Sequence, residues 1–332
     1  MIKNTQVFLK ETPKGKLLKS HFEIKNTSIK PPLIGEVLIE IEYISIDAAN
    51  RAWMQGRTYR EQILPGNLMA GYAIGKVIDS KSELFKIGDY VEGDLGWQNY
   101  AIKNEKEIEK SNIISTINLH MSVLGITGRT AYIGMKLANL KKEDTVLISA
   151  AAGAVGNVAG QIAKIHGCRV IGLTGSEIKS KWLVEELGFD GAINYKSGNL
   201  VKDLRKLCPN KVDVYFDNVG GEIFESILFG MNNHGRIICC GALSLYDQLP
   251  PKSGPRGVPG IIVTKRLSLK GFIVMDFDHQ KEEAIKQLQK WINENKLIVS
   301  EDIVEGLEAA PSALIGLLNG ENKGKRMVKL IK

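Results

Sequence analysis

Residues Thr145–Gly156 read TVLISAAAGAVG, and this stretch decides the fold. Thr145 to Ala150 is rich in β-formers. A turn of small residues follows, and an apolar-periodic helix opens straight after it. Val155, Val158, Ala159, Ile162 and Ala163 share one helical face. The pattern predicts a strand–turn–helix of the dinucleotide-binding kind, with Ala151, Gly153 and Gly156 at the three small positions. Gly153 lets the backbone approach a pyrophosphate, and Gly156 lets the helix pack close on the strand. The helix start, including Ala154 and Val155, offers amide hydrogens and a positive dipole to the phosphate. A second strand, Arg169–Thr174, follows at βαβ distance.

The turn after that second strand bears on cofactor choice. It reads Gly175-Ser176-Glu177-Ile178-Lys179. Binders of NAD place an acidic residue about 20 residues past the glycine motif, to accept from the ribose 2′-hydroxyl. Here that position is Ser176, and Glu177 comes with Lys179 and Lys181. A cationic side chain suits a 2′-phosphate. Spacing alone leaves a second reading open, in which both lysines sit on the solvated first turn of a surface helix.

Working outward, the strands Thr145–Ala150, Arg169–Thr174, Gly191–Asn194, Val212–Asp217, Gly235–Gly241 and Ser268–Val274 alternate with helices such as Lys179–Leu187 and Glu222–Met231. Six strands with crossover helices predict an α/β, doubly wound parallel sheet. The N-terminal third is β-rich instead. Glu36–Ile46, EVLIEIEYISI, alternates as a half-buried strand does, and Gly75–Ser80 and Asp89–Glu92 are shorter strands. The tail predicts a strand over Ile298–Val304, a helix near Pro311–Leu318 and a strand over Arg326–Ile331. The expected organisation is a β-rich domain of residues 1–122 and 298–332 around a dinucleotide-binding domain of residues 123–297. Pro250 to Pro259 is expected to form a mobile loop near the site.

Composition narrows the function classes. A chain of 332 residues exceeds the usual size of one core. Its apolar share of 44% and charged share of 24% are those of an ordinary globular protein. The net charge of +7 comes from lysines spread along the chain, which argues against nucleic acid. No apolar run is long enough for a transmembrane helix, and the lysine-rich start lacks a signal-peptide core, so no membrane partner and a cytoplasmic location are expected. Cys168, Cys208, Cys239 and Cys240 lack the spacing of a zinc site. His21, His120, His166, His234 and His279 are scattered, so no metal is expected.

Several blocks, in order, carry a family resemblance. They are SAAAGAVGNVAGQIAKIHGCRVIGLTGS, LGFDGAINYK, VDVYFDNVGGE and GRIICCGALSLY, with FKIGDYVEGDLGWQNYAI before them and NGENKGKRMVKLI after. The chain closely resembles the zinc-free medium-chain dehydrogenase/reductases, in the subgroup of prostaglandin reductases, leukotriene B4 dehydrogenase and alkenal/one double-bond reductases. The resemblance implies a GroES-like fold for the β-rich domain. It also implies NADPH-dependent reduction of the carbon–carbon double bond of an α,β-unsaturated aldehyde or ketone. It carries cofactor roles onto Gly153, Ala154, Val155 and Gly156 at the pyrophosphate, and onto Lys179 and Tyr195 at the 2′-phosphate. Asn218, the run Cys240, Gly241 to Tyr246, the segment Phe272, Ile273 and Val274, and Asn322 complete that set. A homodimer through the sixth strand is implied as well.

The departures concern the substrate. Many members have DPYMR after the first long strand, where this chain has Asp47-Ala48-Ala49-Asn50-Arg51. Ala49 therefore lacks a tyrosine that often lines the pocket. Gly125–Gly128 reads GITG where a proline is common. The remaining pocket candidates are Asn50, Trp53 and Tyr72. Tyr72 resembles a pocket tyrosine of plant double-bond reductases and reads equally well as a half-buried strand aromatic; Trp53 and Met54 read as apolar pocket walls or, at least as well, as ordinary core packing. Hydride addition to an enal or enone also needs donors for the enolate oxygen and a proton for the α-carbon. A phenol, neutral near pH 7, suits that need, and the resemblance sets Tyr246 beside the nicotinamide as the catalytic residue. A zinc-free quinone oxidoreductase shares the expected fold and cofactor. A non-catalytic NADPH-binding protein is the reading from another class.

Overall fold

A computed structural model of the chain describes residues 2–247, 254 and 257–330. The N-terminal segment carries β1 (Ile2–Leu9), β2 (Phe22–Ile29), β3 (Glu36–Ser45), α1 (Ala49–Gln55), β4 (Tyr72–Ser80), β5 (Tyr90–Asp94), β6 (Tyr100–Asn104), β7 (Glu109–Lys110) and α2 (Ile117–Met121). The middle segment alternates helix and strand: α3 (Ile126–Ala138), β8 (Thr145–Ile148), α4 (Ala154–Ile165), β9 (Arg169–Thr174), α5 (Glu177–Glu185), β10 (Gly191–Asn194), α6 (Leu200–Leu207), β11 (Val212–Asp217), α7 (Gly221–Gly230), β12 (Met231–Cys239), α8 (Val258–Lys265), β13 (Ser268–Gly271) and α9 (Lys281–Asn293). The tail adds β14 (Glu301–Glu305), α10 (Ala310–Leu318) and β15 (Lys325–Lys329).

Two compact units result. One comprises Met1–Met121, Glu301–Glu321 and Arg326–Lys332; the other comprises Ser122–Ser300 and Asn322–Lys325. In the first unit, a seven-stranded sheet runs β14-β15-β3-β4-β5-β7, with β6 also on β3, and β1 and β2 form a separate ribbon. The long strand β3 pairs antiparallel with β4, β6 and β15, which explains its alternating sequence. Its inward residues Val37, Ile39, Ile41 and Ile44 join Trp53, Met54, Trp97 and Leu314 in one buried cluster.

The second unit is the doubly wound sheet. Its strand order is β10-β9-β8-β11-β12-β13, and every neighbouring pair is parallel. Parallel strands covered on both faces must be apolar throughout. All four residues of β8 are accordingly buried. Leu147, Ile171, Leu173, Ile193, Tyr215 and Ile237 point to one face, where Leu204, Phe224, Ile227 and Leu228 pack on them. Chain order reverses between β8 and β11, and in such sheets ligands bind outside the carboxyl ends of the strands at that switch.

Several boundaries differ from the sequence expectation, each for a local reason. The first strand of this sheet ends at Ile148 because Ala150 turns to φ +47°, outside extended space. The strand expected over Ser268–Val274 stops at Gly271. Its partner β12 ends there, with Cys239 opposite Gly271, and Val274 opens a 3-10 turn. β12 starts earlier than expected, at Met231, through a bulged pairing with β11. Of the loop expected at 250–259, residues 250–253, 255 and 256 lie outside the described residues, and Val258 and Pro259 belong to α8. Ile331 also lies outside them.

Candidate functional site

The turn after β8 is built by its small residues. The Ala151 amide donates to Leu173 O at 3.0 Å, and the Gly153 amide donates to Ala150 O at 2.9 Å. Gly153 is the N-cap of α4. A Cβ on Gly156 would stand 2.4 Å from Ala150 O, so only glycine lets α4 start this close to the turn. A Cβ on Gly153 would stand 3.1 Å from the same oxygen. The amides of Ala154, Val155 and Gly156 find no acceptor among the described residues. Three orphan donors at the start of a 12-residue helix fit a pyrophosphate.

Asn322 meets this turn through the tail. Its side chain is buried and donates to Gly324 O at 2.9 Å, and the Gly324 amide donates to Ala152 O at 3.0 Å. Gly324 also bridges Gly153 in parallel register. It has φ +76°, and a Cβ there would lie 2.2 Å from Ser300 O, so the position requires glycine.

The carboxyl ends of β9 and β10 lie side by side, Thr174 opposite Asn194. Ser176 caps α5, its hydroxyl accepting from the Lys179 amide at 3.4 Å. The Tyr195 amide donates to Thr174 O at 3.1 Å. The Tyr195 hydroxyl reaches to 3.3 Å from a Cβ built on Gly175, and burial holds its phenol above the usual range. Tyr195 and the turn bearing Lys179 therefore meet at one strand edge.

At the switch point, Asn218 ties β11 to β8. Its amide donates to Ser149 Oγ at 2.8 Å, and its Nδ2 donates to Ser149 O at 2.7 Å. Below it, buried Asp217 accepts from Ser149 Oγ (2.9 Å), Tyr215 Oη (2.7 Å) and the amides of Val219 and Gly220 (3.0 Å each). The sequence reading missed Ser149, Tyr215 and Asp217 as a unit. A buried acid flanked by a strand tyrosine and two glycines was the available signal.

The segment Cys240–Tyr246 lies on this network. The amides of Cys240 and Gly241 donate to Asp217 O, that of Leu243 to Asn218 O and that of Ser244 to Val219 O. Gly241 comes so near that a Cβ would stand 3.1 Å from Asn218 O. Burial pushes the Cys240 thiol up to about 12, which disfavours the reactive thiolate. Tyr246 closes the 3-10 turn Leu243–Leu245 and is half-buried. Burial raises its phenol above the ordinary range, against a backbone hydrogen bond at Ala242 that lowers it. Phe272 and Ile273 are half-buried and Val274 is buried. The Phe272 ring lies against α3, 3.0 Å from a Cβ built on Gly134.

Asn50, Trp53 and Tyr72 lie in the first unit. Asn50 is committed to the backbone: its Oδ1 accepts from the Asp47 amide at 2.8 Å and its Nδ2 donates to Ala70 O at 3.0 Å. Trp53 is buried, with the Arg60 guanidinium 4.5 Å over its ring and Tyr59 edge-on. Its Nε1 has no hydrogen-bond partner among the described residues. Tyr72 opens β4 and packs on the buried cluster of Tyr43, Ile74, Met121 and Met327. Among the described residues, no group of three or more His, Cys, Asp or Glu is arranged to hold a metal ion.

Known proteins match the whole of this arrangement. The family model described as "N-terminal domain of oxidoreductase" matches residues 5–111, and that described as "Zinc-binding dehydrogenase" matches residues 154–291. Prostaglandin reductase 1 of Bos taurus is 39% identical over 93% of this chain and 94% of its own length. The 2-alkenal reductase (NADP(+)-dependent) of Nicotiana tabacum is 36% identical over 98% of this chain and 97% of its own. The crystal structure of CurA from Vibrio vulnificus in complex with NADPH superposes with a TM-score of 0.94 at 34% identity, covering 99% of both chains. With both units matched and the glycine turn, switch point and tail in place, the chain belongs to the zinc-free medium-chain dehydrogenase/reductases, in the subgroup of the prostaglandin and alkenal reductases.

Proposed function

We propose that this protein is an NADPH-dependent oxidoreductase that reduces the carbon–carbon double bond of α,β-unsaturated aldehydes or ketones. The observation that carries the reading is the cofactor cradle: three orphan amides at the start of α4 together with Lys179 and Tyr195 at the next strand edge. The first set takes a pyrophosphate, and the second takes a 2′-phosphate by charge-assisted bonds. Relatives named for prostaglandin and 2-alkenal reduction support the substrate class.

When bound, NADPH supplies the hydride that goes to the substrate β-carbon. The chain's own residues do the rest. Ala154, Val155 and Gly156 would hold the diphosphate, and Asn322 secures the turn through Gly324. Asn218 would contact the cofactor at the end of β11, and the segment Cys240–Tyr246 would lie beside the nicotinamide ribose. The backbone of Phe272, Ile273 and Val274 would meet the carboxamide. Tyr246 keeps its proton at neutral pH, because burial raises its phenol. It donates a hydrogen bond to the oxygen that gathers enolate charge and stands as the proton source for the α-carbon. Tyr72, Trp53 and Asn50 are the substrate-side candidates. β13 is the edge strand of its sheet, which supports a homodimer formed by pairing that edge across a two-fold axis. The location that goes with this reading is cytoplasmic.

The test is a substrate panel. Purified protein is mixed with NADPH and a 2-alkenal, a 2-alkenone or a quinone, and products are identified by mass spectrometry. Saturated carbonyl product, with deuterium from labelled NADPH on the β-carbon, is expected. Hydroquinone alone would transfer the reading to quinone reduction. NADPH binding without turnover of any compound would make the protein a carrier of the cofactor.

A further inference from the structure

We propose that Lys196 is a specificity-determining residue for the 2′-phosphate, acting beside Lys179 and Tyr195; this rests on the NADPH reading above. The starting observation is steric. A Cβ on Gly175 would stand 3.2 Å from Lys196 Cε, 3.4 Å from Lys196 Nζ and 3.3 Å from Tyr195 Oη. The lysine is exposed, yet its end is turned toward the neighbouring strand. It folds back over the glycine that ends β9, and its ammonium and the Tyr195 hydroxyl lie around the same point. Any larger residue at 175 would displace both.

The local backbone produces this return. Asn194 closes β10, its Oδ1 accepting from the Lys196 amide at 3.2 Å. The Ser197 amide and hydroxyl both donate to Asn194 O. Asn–backbone bonds of this kind turn the chain sharply. The turn reverses the chain just after Tyr195, so residues 195 and 196 both present side chains to the neighbouring strand end.

Charge supplies the second argument. Among the described residues, no carboxylate forms an ion pair with Lys196. Lys179 lies four residues past Gly175, on the turn that Ser176 caps. The Lys196 ammonium and the Tyr195 phenol thus lie beside Gly175, and Lys179 is carried on the first turn of the nine-residue helix that follows. Like charges repel unless an anion lies between them. A phosphate monoester carries nearly two negative charges and takes several donors at once. The ribose 2′-hydroxyl of NADH offers neither charge, so Lys196 has nothing to hold in that cofactor.

The experiment measures dissociation constants for 2′,5′-ADP and for 5′-AMP by calorimetry, with wild type, Lys196→Ala and Lys196→Arg. Lys196→Ala is expected to weaken 2′,5′-ADP about three- to tenfold, as for a partly solvated charge pair. It should leave 5′-AMP unchanged, and Lys196→Arg should restore most of the loss. Added salt should shrink the difference between wild type and Lys196→Ala. Equal weakening of both nucleotides makes Lys196 structural and overturns the proposal, as does an unchanged constant for 2′,5′-ADP. The two readings fail differently. A wild type that binds both nucleotides alike defeats the NADPH reading itself. A wild type that discriminates, with Lys196→Ala discriminating equally, defeats only the role of Lys196.

Discussion

The turn after β8 and the segment Asp47–Trp53 treat their polar groups in opposite ways. In the turn, Ala154, Val155 and Gly156 leave amides with no acceptor among the described residues, while neighbouring bonds hold the backbone still. In the other segment, Asn50 and Arg51 spend side-chain donors on the fold, although Trp53 Nε1 finds no acceptor among the described residues. Asn50 bonds Asp47 and Ala70, and fully buried Arg51 donates through Nη2 to Gly15 O at 2.8 Å and Pro13 O at 3.4 Å. The difference separates two kinds of buried polarity. Donors left open by rigid backbone are built for a ligand, and donors satisfied within the chain are built for stability.

Substitutions can break or sharpen this contrast. The largest effect is expected at Arg51. Arg51→Met removes charge-assisted bonds from a fully buried guanidinium to the Pro13 and Gly15 carbonyls, at a cost of about 3–5 kcal/mol of stability. Urea unfolding should show that loss while NADPH affinity stays put, and a loss of affinity without a loss of stability would erase the contrast. Next comes Tyr246→Phe, which deletes the proposed donor to the developing oxyanion. Turnover with an enone should fall by about 100- to 1000-fold, or about 3–4 kcal/mol, with little change in NADPH binding. Sharing of the donor role with the ribose hydroxyl predicts a smaller drop, and unchanged turnover removes Tyr246 from the chemistry.

Smaller effects probe the cradle itself. Gly156→Ala drives a methyl into Ala150 O and must displace the turn, at about 1–3 kcal/mol. The displacement should appear as weaker binding of both NADPH and NADH, since both carry the pyrophosphate. Lys179→Ala should weaken NADPH about tenfold and leave NADH nearly unchanged; equal weakening of the two would make the lysine structural. The smallest effect is that of Asn50→Ala, about 1 kcal/mol of stability with no change in either cofactor's affinity. A change in the KM for an enone with stability intact would instead give Asn50 a place at the substrate.

These two regions were unequally legible. The glycine turn could be read because its requirements are local. Gly156 is demanded by Ala150, six residues away, and Ser176 caps a helix that begins at the next residue. Tyr246 and Asn218 became candidates only through a family resemblance. The Asp217 network escaped because it joins residues 68 positions apart through the ends of two parallel strands. Lys196 escaped for a similar reason: in sequence it is one more surface lysine, and only the pairing of β10 with β9 brings it to Gly175. The 47–53 segment was the least readable. Asn50, Trp53 and Tyr72 are residue types equally at home in a pocket and in a core, and no spacing rule tells the two apart.

The sequence by itself determined the doubly wound sheet, because six apolar runs separated by helical periodicity admit few other packings. It also determined the position of the glycine turn, because small residues between a strand and a helix leave the backbone a compact path. Tertiary structure decided what depends on distant chain segments meeting. It ended the sixth strand at Gly271, where its neighbour stopped. It brought Asn322 and Gly324 of the tail onto the glycine turn, and it turned Asn50 inward to bond Ala70. Periodicity and propensity act over a few residues, whereas a hydrogen bond across the fold depends on which strands become neighbours.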